Sequence, residues 1–89
     1  MKIRKGDYYL IRRYGKPAIA RILTPNKKDK PIKIETLLVF IDCRVVRHQV
    51  ATAINRKNLT EKMSYRNKVE GLEVGRVFLE DNFPEYMLW

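Results

Sequence analysis

A nearly continuous β-strand signal over about the first 60 residues limits this chain to a mainly β fold. Tyr8 to Tyr14 is rich in aromatic and branched residues, and Gly15 marks a turn before a second strand at Ala18 to Thr24. Ile34 to Val46 is the most apolar segment, and its part Leu37 to Ile41 is apolar on both faces. We therefore expect a first hairpin, followed by a strand region at the centre of the structure.

The remaining elements are predicted from weaker signals. Asp42 suggests a bend, His48 to Ile54 a further strand, and Asn55 to Asn58 a turn. Thr60 resembles a helix start and Gly71 a left-handed cap, which predicts a short helix near Thr60 to Glu70. After Gly71, Leu72 and Val74 alternate with Glu73, which predicts a last strand that includes Arg76 to Leu79.

These elements fit one domain over residues 1–89, because a chain of 89 residues has room for one modest core. Residues 1–59 would form the barrel core, residues 60–71 a short helix, and residues 72–89 a last strand with an acidic, aromatic tail. About five short strands separated by charged loops point to a small closed or nearly closed sheet.

Two stretches resemble SH3-like barrels of the KOW and Tudor type. "KGDYYLIRRYGKPAIARIL" looks like the opening of such barrels, in which Gly-Asp precedes an alternating strand, a Gly-Lys turn follows, and Ala-x-Ile continues. "INRKNL" is similar to their closing turn, so the likeness covers roughly the first two-thirds of the chain. The resemblance implies a small SH3-like barrel and leaves the segment after Thr60 without a counterpart.

In such a barrel, alternate positions of each strand share one face. Four side chains would then point inward, namely Tyr9, Ile11, Ala20 and Ile22. Six would face outward, namely Tyr8, Leu10, Arg12, Ile19, Arg21 and Leu23. Because the outward set is not purely polar, we expect the helix or the tail to cover part of it.

The charge of the chain favours a polyanionic partner. Lys and Arg number 19 against 10 Asp and Glu, a formal net charge of +9. Residues 1–68 hold 18 basic and 5 acidic side chains, whereas residues 69–89 hold 1 and 5, so the sign reverses in the tail. Nucleic acid is the leading candidate, and solubility alone is the simpler alternative.

The candidate nucleic-acid-binding residues combine cations with exposed aromatic rings. Bases would stack on tyrosines while guanidinium and ammonium groups hold phosphates; the alternative is that the tyrosines fill the core and the cations are only solvated. Nothing in the chain encodes base readout, so we expect weak sequence preference. The set is Tyr8, Arg12, Arg13, Tyr14, Lys16, Arg21, Lys27, Lys28, Lys30, Lys33, Arg44, Arg47, Arg56 and Lys57.

Large apolar side chains also gather at the carboxyl end, where a chain normally frays. They either fold back over the sheet, which we favour, or anchor a partner protein or a second copy that exchanges tails. These candidate partner-binding residues are Phe83, Tyr86, Met87, Leu88 and Trp89.

No enzyme signature is present in the sequence. Cys43 is the only cysteine and His48 the only histidine, which leaves no thiol metal cluster, and no usual partners for a catalytic or metal-binding histidine. We expect no catalytic residues, no cofactor and no metal. We also expect a cytoplasmic location, because no signal peptide or membrane span is recognisable and a lone cysteine suits a reducing compartment.

Two functional hypotheses remain open. The first is a small basic domain that holds RNA or DNA mainly through phosphate contacts. The second is a phage-type protein-interaction module that docks on a host enzyme or assembly and regulates or inhibits it. The first requires the cations to converge on one surface, and the second requires an exposed apolar surface.

Overall fold

The computed structural model describes residues 3–26 and 30–88, which form five strands, one α-helix and two short 3₁₀ turns. The strands are β1 (Tyr8–Arg13), β2 (Lys16–Thr24), β3 (Ile32–Ile41), β4 (Arg44–Ile54) and β5 (Leu59–Lys62). Helix α1 spans Lys68–Asn82, and the 3₁₀ turns span Arg56–Asn58 and Pro84–Met87. The predicted class, mainly β with one helix, is confirmed.

The five strands form a single antiparallel sheet in the order β4-β3-β2-β1-β5. The first four follow one another as a meander, and the first 3₁₀ turn leads into β5, which returns to pair with β1. Because β4 and β5 remain the two edges of the sheet, the expected barrel is not closed. Register shifts in three of the four strand pairings interrupt the regular sheet.

Two of the three hairpins of the meander turn through two residues with positive φ, as in a type I′ turn. Tyr14 (φ 54°) and Gly15 (φ 75°) connect β1 to β2, and Asp42 (φ 52°) and Cys43 (φ 62°) connect β3 to β4. The bend expected at Asp42 is therefore a complete hairpin turn. The first residue of the β1–β2 turn is Tyr14 and not Gly15. Lys16 therefore lies in β2, where its extended backbone suits the following proline.

The inner face of the sheet carries the core predicted from strand alternation. Tyr9, Ile11, Ala20 and Ile22 are buried together, as expected, and β3 adds further apolar side chains. We call this set the inner cluster; its buried members are Ile3, Tyr9, Ile11, Ala18, Ala20, Ile22, Ile32, Ile34 and Leu59.

The opposite face of the sheet is buried under α1. Tyr8, Leu10 and Ile19 point outward, as predicted, and pack with the helix. A register shift between Thr36 and Leu38 changes the alternation of β3, so the following residues include side chains for this face. We call this set the outer cluster; its buried members are Tyr8, Leu10, Ile19, Leu37, Leu38, Phe40, Met63, Tyr65 and Leu79.

The predicted helix at 60–70 and the predicted last strand at 76–79 are both wrong. Leu59–Lys62 pairs with β1, and Met63 N–H continues the ladder by donating to the Tyr8 carbonyl at 2.8 Å. The helix begins after Asn67, whose side-chain oxygen accepts a hydrogen bond from Val69 N–H at 2.8 Å. It then continues through Arg76 to Asn82.

Gly71 is not a cap but the point at which α1 touches the sheet. A Cβ atom at Gly71 would lie 2.5 Å from Cε2 of Tyr8, and one at Gly75 would lie 2.9 Å from the Tyr65 hydroxyl. Both glycines are buried and are one helical turn apart, so they share the face that α1 presents to the outer cluster. The helix therefore approaches the sheet more closely than side chains would allow.

The aromatic tail folds back on its own sheet, as favoured from the sequence. Phe83, Tyr86 and Met87 pack against the outer cluster, and the rings of Phe40 and Tyr86 stack with centroids 5.3 Å apart. The Cys43 thiol donates a hydrogen bond to the Leu88 carbonyl at 2.9 Å, which ties the tail to the β3–β4 turn. Leu88 itself is 71% exposed, and Trp89 lies outside the described residues.

We expect Gly71→Ala to lower the free energy of unfolding by about 1–2 kcal/mol, because overpacking against Tyr8 outweighs the gain in helix propensity. Urea unfolding followed by circular dichroism measures the change. Val74→Ala, on the exposed side of the same helix, is the matched control and should stay within about 0.5 kcal/mol of the wild type. A Gly71→Ala protein as stable as the wild type would contradict the close approach.

We expect the fold to lose stability in alkali through Tyr65. Burial, and to a lesser extent the neighbouring Tyr8, raises the pKa of Tyr65 to about 12, from 10.0 for an ordinary tyrosine. A raised pKa stabilises the folded state below pH 10, and this contribution disappears as the pH rises from 10 to 12. Urea unfolding at pH 8 and pH 11 should therefore show a smaller alkaline loss for Tyr65→Phe than for the wild type. Equal losses would contradict this assignment.

Candidate nucleic-acid interface

The β1–β2 hairpin brings four of the predicted binding residues to one end of the sheet. β1 ends in Arg12 and Arg13, the turn presents Tyr14, and β2 begins with Lys16 opposite Arg13. We call Arg12, Arg13, Tyr14 and Lys16 the tip cluster. It joins three cations and one aromatic ring in five consecutive positions of a tight turn.

Tyr14 is displayed to solvent at a conformational cost. Its side chain is 89% exposed, so it buries little surface in return for its position. Its φ of 54° lies in the left-handed region, which favours Gly, Asn or Asp and costs most other residues about 1–2 kcal/mol. Packing of the fold therefore does not explain a tyrosine at this turn.

Arg13 is the ordered cation of the tip cluster. It is half-buried, and Nη1 donates a hydrogen bond to Thr52 Oγ1 of β4 at 2.9 Å. Its guanidinium carbon lies 5.2 Å from the centroid of the Tyr14 ring, within the range of a cation–π contact. Arg12, by contrast, is exposed, and its Nη1 donates to the Gly15 carbonyl at 3.1 Å. Arg12 thus holds the turn in shape, while Arg13 is fixed to β4, and both keep their charge close to the turn.

A cleft of about 220 Å³ opens beside the tip cluster, and we call it the tip cleft. Pro17, Ala18, Val39, Phe40 and Ile41 contribute apolar surface to it, while the polar lining comes from Arg13, Tyr14, Lys16 and His48. Among the residues that the structure describes, none that lines the cleft is acidic. The site therefore combines an apolar interior with a cationic and aromatic rim.

The predicted cations do not converge on one surface, because only Arg12, Arg13 and Lys16 belong to the tip cluster. Arg44 begins β4, next to the turn after Ile41, whereas Arg47 lines a separate groove with Glu73 and Arg76 of α1. A guanidinium nitrogen of Arg56 donates to the Asn26 carbonyl, which joins the first 3₁₀ turn to the β2–β3 loop. Four cations accordingly lie near the opposite end of β2, namely Lys30, Lys33, Arg56 and Lys57. Lys27 and Lys28 lie outside the described residues.

Two members of the predicted set are corrected by the structure. Tyr8 is fully buried in the outer cluster, where its ring meets α1 and Tyr65, so no base can stack on it. Burial raises its pKa, and the nearby Arg21 guanidinium offsets part of that rise. Arg21 is half-buried and forms an ion pair with Glu35 at 3.2 Å, which neutralises its charge. The sequence did not reveal these two roles, because that of Tyr8 depends on which face of the sheet the helix covers, and that of Arg21 on the register that places it opposite Glu35.

The acids of the helix and tail do not neutralise the tip cluster. In residues 3–26 and 30–88, ion pairs join Glu35 to Arg21, and Asp7 to Lys62 and Arg66. No ion pair within this part of the chain involves an acid of α1 or of the tail. The tip cations are therefore available to a ligand.

His48 and the apolar residues of the tip cleft were not predicted as site residues. The sequence gives His48 no usual partners for a catalytic or metal-binding role, and it places Val39 and Phe40 within the central apolar segment Leu37 to Ile41. They meet the tip cluster because β3 and β4 bring them beside the first hairpin. Their separation in sequence from Tyr14 leaves no local motif that would have identified them.

In residues 3–26 and 30–88, neither a metal site nor a membrane-spanning helix is found. No group of three or more His, Cys, Asp or Glu there is placed to hold a metal ion. No helix in residues 3–26 and 30–88 combines the length and the apolar character needed to cross a bilayer.

Comparison with known proteins gives no family for this chain. No protein-family model, no curated protein and no solved structure matches it. The resemblance to SH3-like barrels of the KOW and Tudor type therefore stays a prediction. The mainly β architecture, with one helix on the sheet, is established by the coordinates.

Proposed function

We propose that this domain binds nucleic acid through the tip cluster, mainly by contacts to the phosphate backbone. The observation that carries the proposal is the concentration of Arg12, Arg13 and Lys16 around one turn whose cleft has no acidic lining among the described residues. Phosphates are the abundant anions that such a surface attracts, and guanidinium groups bind them through paired hydrogen bonds.

The same geometry favours an extended polyanion over a small free ligand. The tip cleft, at about 220 Å³, is smaller than the roughly 300–1,000 Å³ typical of small-molecule sites. Its cationic rim repels cationic ligands and attracts anionic ones. A nucleic-acid strand that crosses the turn can contact several of these cations through its phosphates. Only one group of that strand then has to fit into the cleft.

The proposed binding has little sequence preference, because contacts to phosphates position a protein without reading bases. We place it in the cytoplasm, since the single free cysteine suits a reducing compartment. The activity requires no catalytic residue, cofactor or metal, and we propose that the protein acts as a binding module and not as an enzyme.

The double variant Arg12→Ala/Lys16→Ala should weaken nucleic-acid binding and reduce its salt dependence. Each lost phosphate contact lowers the log–log slope of affinity against salt by about 0.7 on single strands and about 0.9 on duplex DNA. Fluorescence anisotropy of labelled oligonucleotides across a salt series measures both quantities. We expect a slope reduced by about 1.4 on single strands.

Lys30→Ala/Lys33→Ala is the matched control, because it removes the same charge near the other end of β2. We expect it to change the slope less than the tip variant does. Equal reductions of the slope in the two variants would mean that phosphates contact both ends of β2. An unchanged slope in Arg12→Ala/Lys16→Ala would contradict the proposed interface.

A second candidate function is docking on a host protein, in the manner of a phage-encoded regulator or inhibitor. Phe83, Tyr86 and Met87 are packed on the outer cluster, so they do not favour it. The observation that favours docking is the exposure of three valines on α1, namely Val69, Val74 and Val77. Binding of this kind would persist at high salt and after nuclease treatment, and would be lost in Val69→Glu/Val77→Glu.

A further inference from the structure

We infer that the tip cleft and Tyr14 hold an unpaired nucleobase, so that the domain prefers single-stranded over duplex nucleic acid. This inference rests on the proposed function, because the backbone contacts bring the strand to the tip cluster. It goes further by assigning a base-binding role to Tyr14, whose ring the fold leaves exposed at this end of the sheet.

The first step concerns the ring itself. Tyr14 is 89% exposed, and one side of it is occupied by the Arg13 guanidinium at 5.2 Å. The bond from Arg13 to Thr52 fixes that guanidinium, so ring and cation form one ordered platform. Bases stack on aromatic rings and on guanidinium planes irrespective of their sequence, because every base has a π-face.

The second step concerns the space beside this platform. The tip cleft is lined mostly by apolar surface, to which Pro17, Val39 and Phe40 contribute, and it is open to solvent at the tip cluster. A flat ring is the part of a nucleotide that gains by leaving water for such a surface. The charged phosphates gain by remaining at the rim, beside Arg13 and Lys16. The apolar interior and cationic rim therefore match the two halves of a nucleotide.

The third step separates single strands from duplexes. In a duplex, each base is paired and stacked between its neighbours, and extruding it costs a few kcal/mol. A single strand presents bases that are free to turn toward the platform. Phosphate contacts alone would not discriminate in this way, so the preference is a property of Tyr14 and the cleft.

Four labelled probes of equal length test the inference by fluorescence anisotropy. They are an oligothymidylate, the same strand with every base removed, and a duplex; oligouridylate serves as the RNA counterpart. Stacking of one base corresponds to about 1–3 kcal/mol, so the wild type should bind oligothymidylate about 5- to 150-fold more tightly than the abasic strand. Its affinity for the duplex should also be lower than for oligothymidylate.

Tyr14→Asn is the decisive variant, because asparagine tolerates the positive φ of this turn and removes the ring. We expect it to bind the base-bearing and abasic strands equally well while its urea unfolding midpoint is unchanged or higher, which excludes misfolding as the cause. Tyr14→Phe keeps the ring and should retain the preference. Arg12→Ala/Lys16→Ala should weaken the binding of all probes and leave the ratios between their affinities unchanged.

The outcomes distinguish this inference from the proposed function. No binding to any probe would overturn both. Equal binding of base-bearing, abasic and duplex probes by the wild type would overturn the inference and leave backbone binding intact. A preference for bases that persists in Tyr14→Asn would also overturn it, since the base would then be held elsewhere.

Discussion

The close contact between Gly71 and Tyr8 is the constraint on which the arrangement of this domain depends. An open five-stranded sheet has two faces, and the inner cluster buries only one of them. The outer face also carries large apolar side chains, including the fully buried Tyr8 and Ile19, which need a cover. Helix α1 supplies it by placing Gly71 and Gly75 directly on these side chains. The tail then extends the cover to Phe40 through Tyr86.

This cover determines which part of the molecule remains available to a ligand. α1 and the tail occupy the outer face, and the inner face is filled by its own side chains. The β1–β2 turn remains exposed, so Arg12, Tyr14 and Lys16 stay accessible. Acids of α1 belong to the covering layer and make no ion pair with the turn among the described residues. The charge reversal along the sequence thus corresponds to two layers of the fold.

Strand alternation predicted the first half of the fold, because a period of two fixes which side chains share a face. Tyr9 and Ile22 were correctly placed inward on this basis. The prediction for the second half of the fold failed at Gly71. A glycine near a helix most commonly ends it, and Gly71 was interpreted in this way. Here glycine serves close packing, and only knowledge of Tyr8 as its neighbour distinguishes the two roles.

The candidate site was predictable only in part, for a similar reason. Arg12 to Lys16 are adjacent in sequence, so any hairpin there brings them together. The tip cleft instead depends on how the sheet carries β3 and β4 beside that hairpin, which a register shift between Thr36 and Leu38 influences. No local pattern encodes such a long-range juxtaposition, and His48 therefore appeared to lack partners.

The two tight turns of this protein, β1–β2 and β3–β4, differ in what offsets their positive φ angles. Each turn places non-glycine residues at positive φ, which is unfavourable for side chains other than those of Asn and Asp. Asp42 belongs to the tolerated class, and the Cys43 thiol gains a hydrogen bond to the Leu88 carbonyl that holds the tail. The Tyr14 ring lies 5.2 Å from the guanidinium carbon of Arg13 and is otherwise largely exposed. Its conformational cost is therefore not offset by packing within the fold, and strain of this kind is concentrated at binding sites, which supports the proposed stacking of a base on the ring.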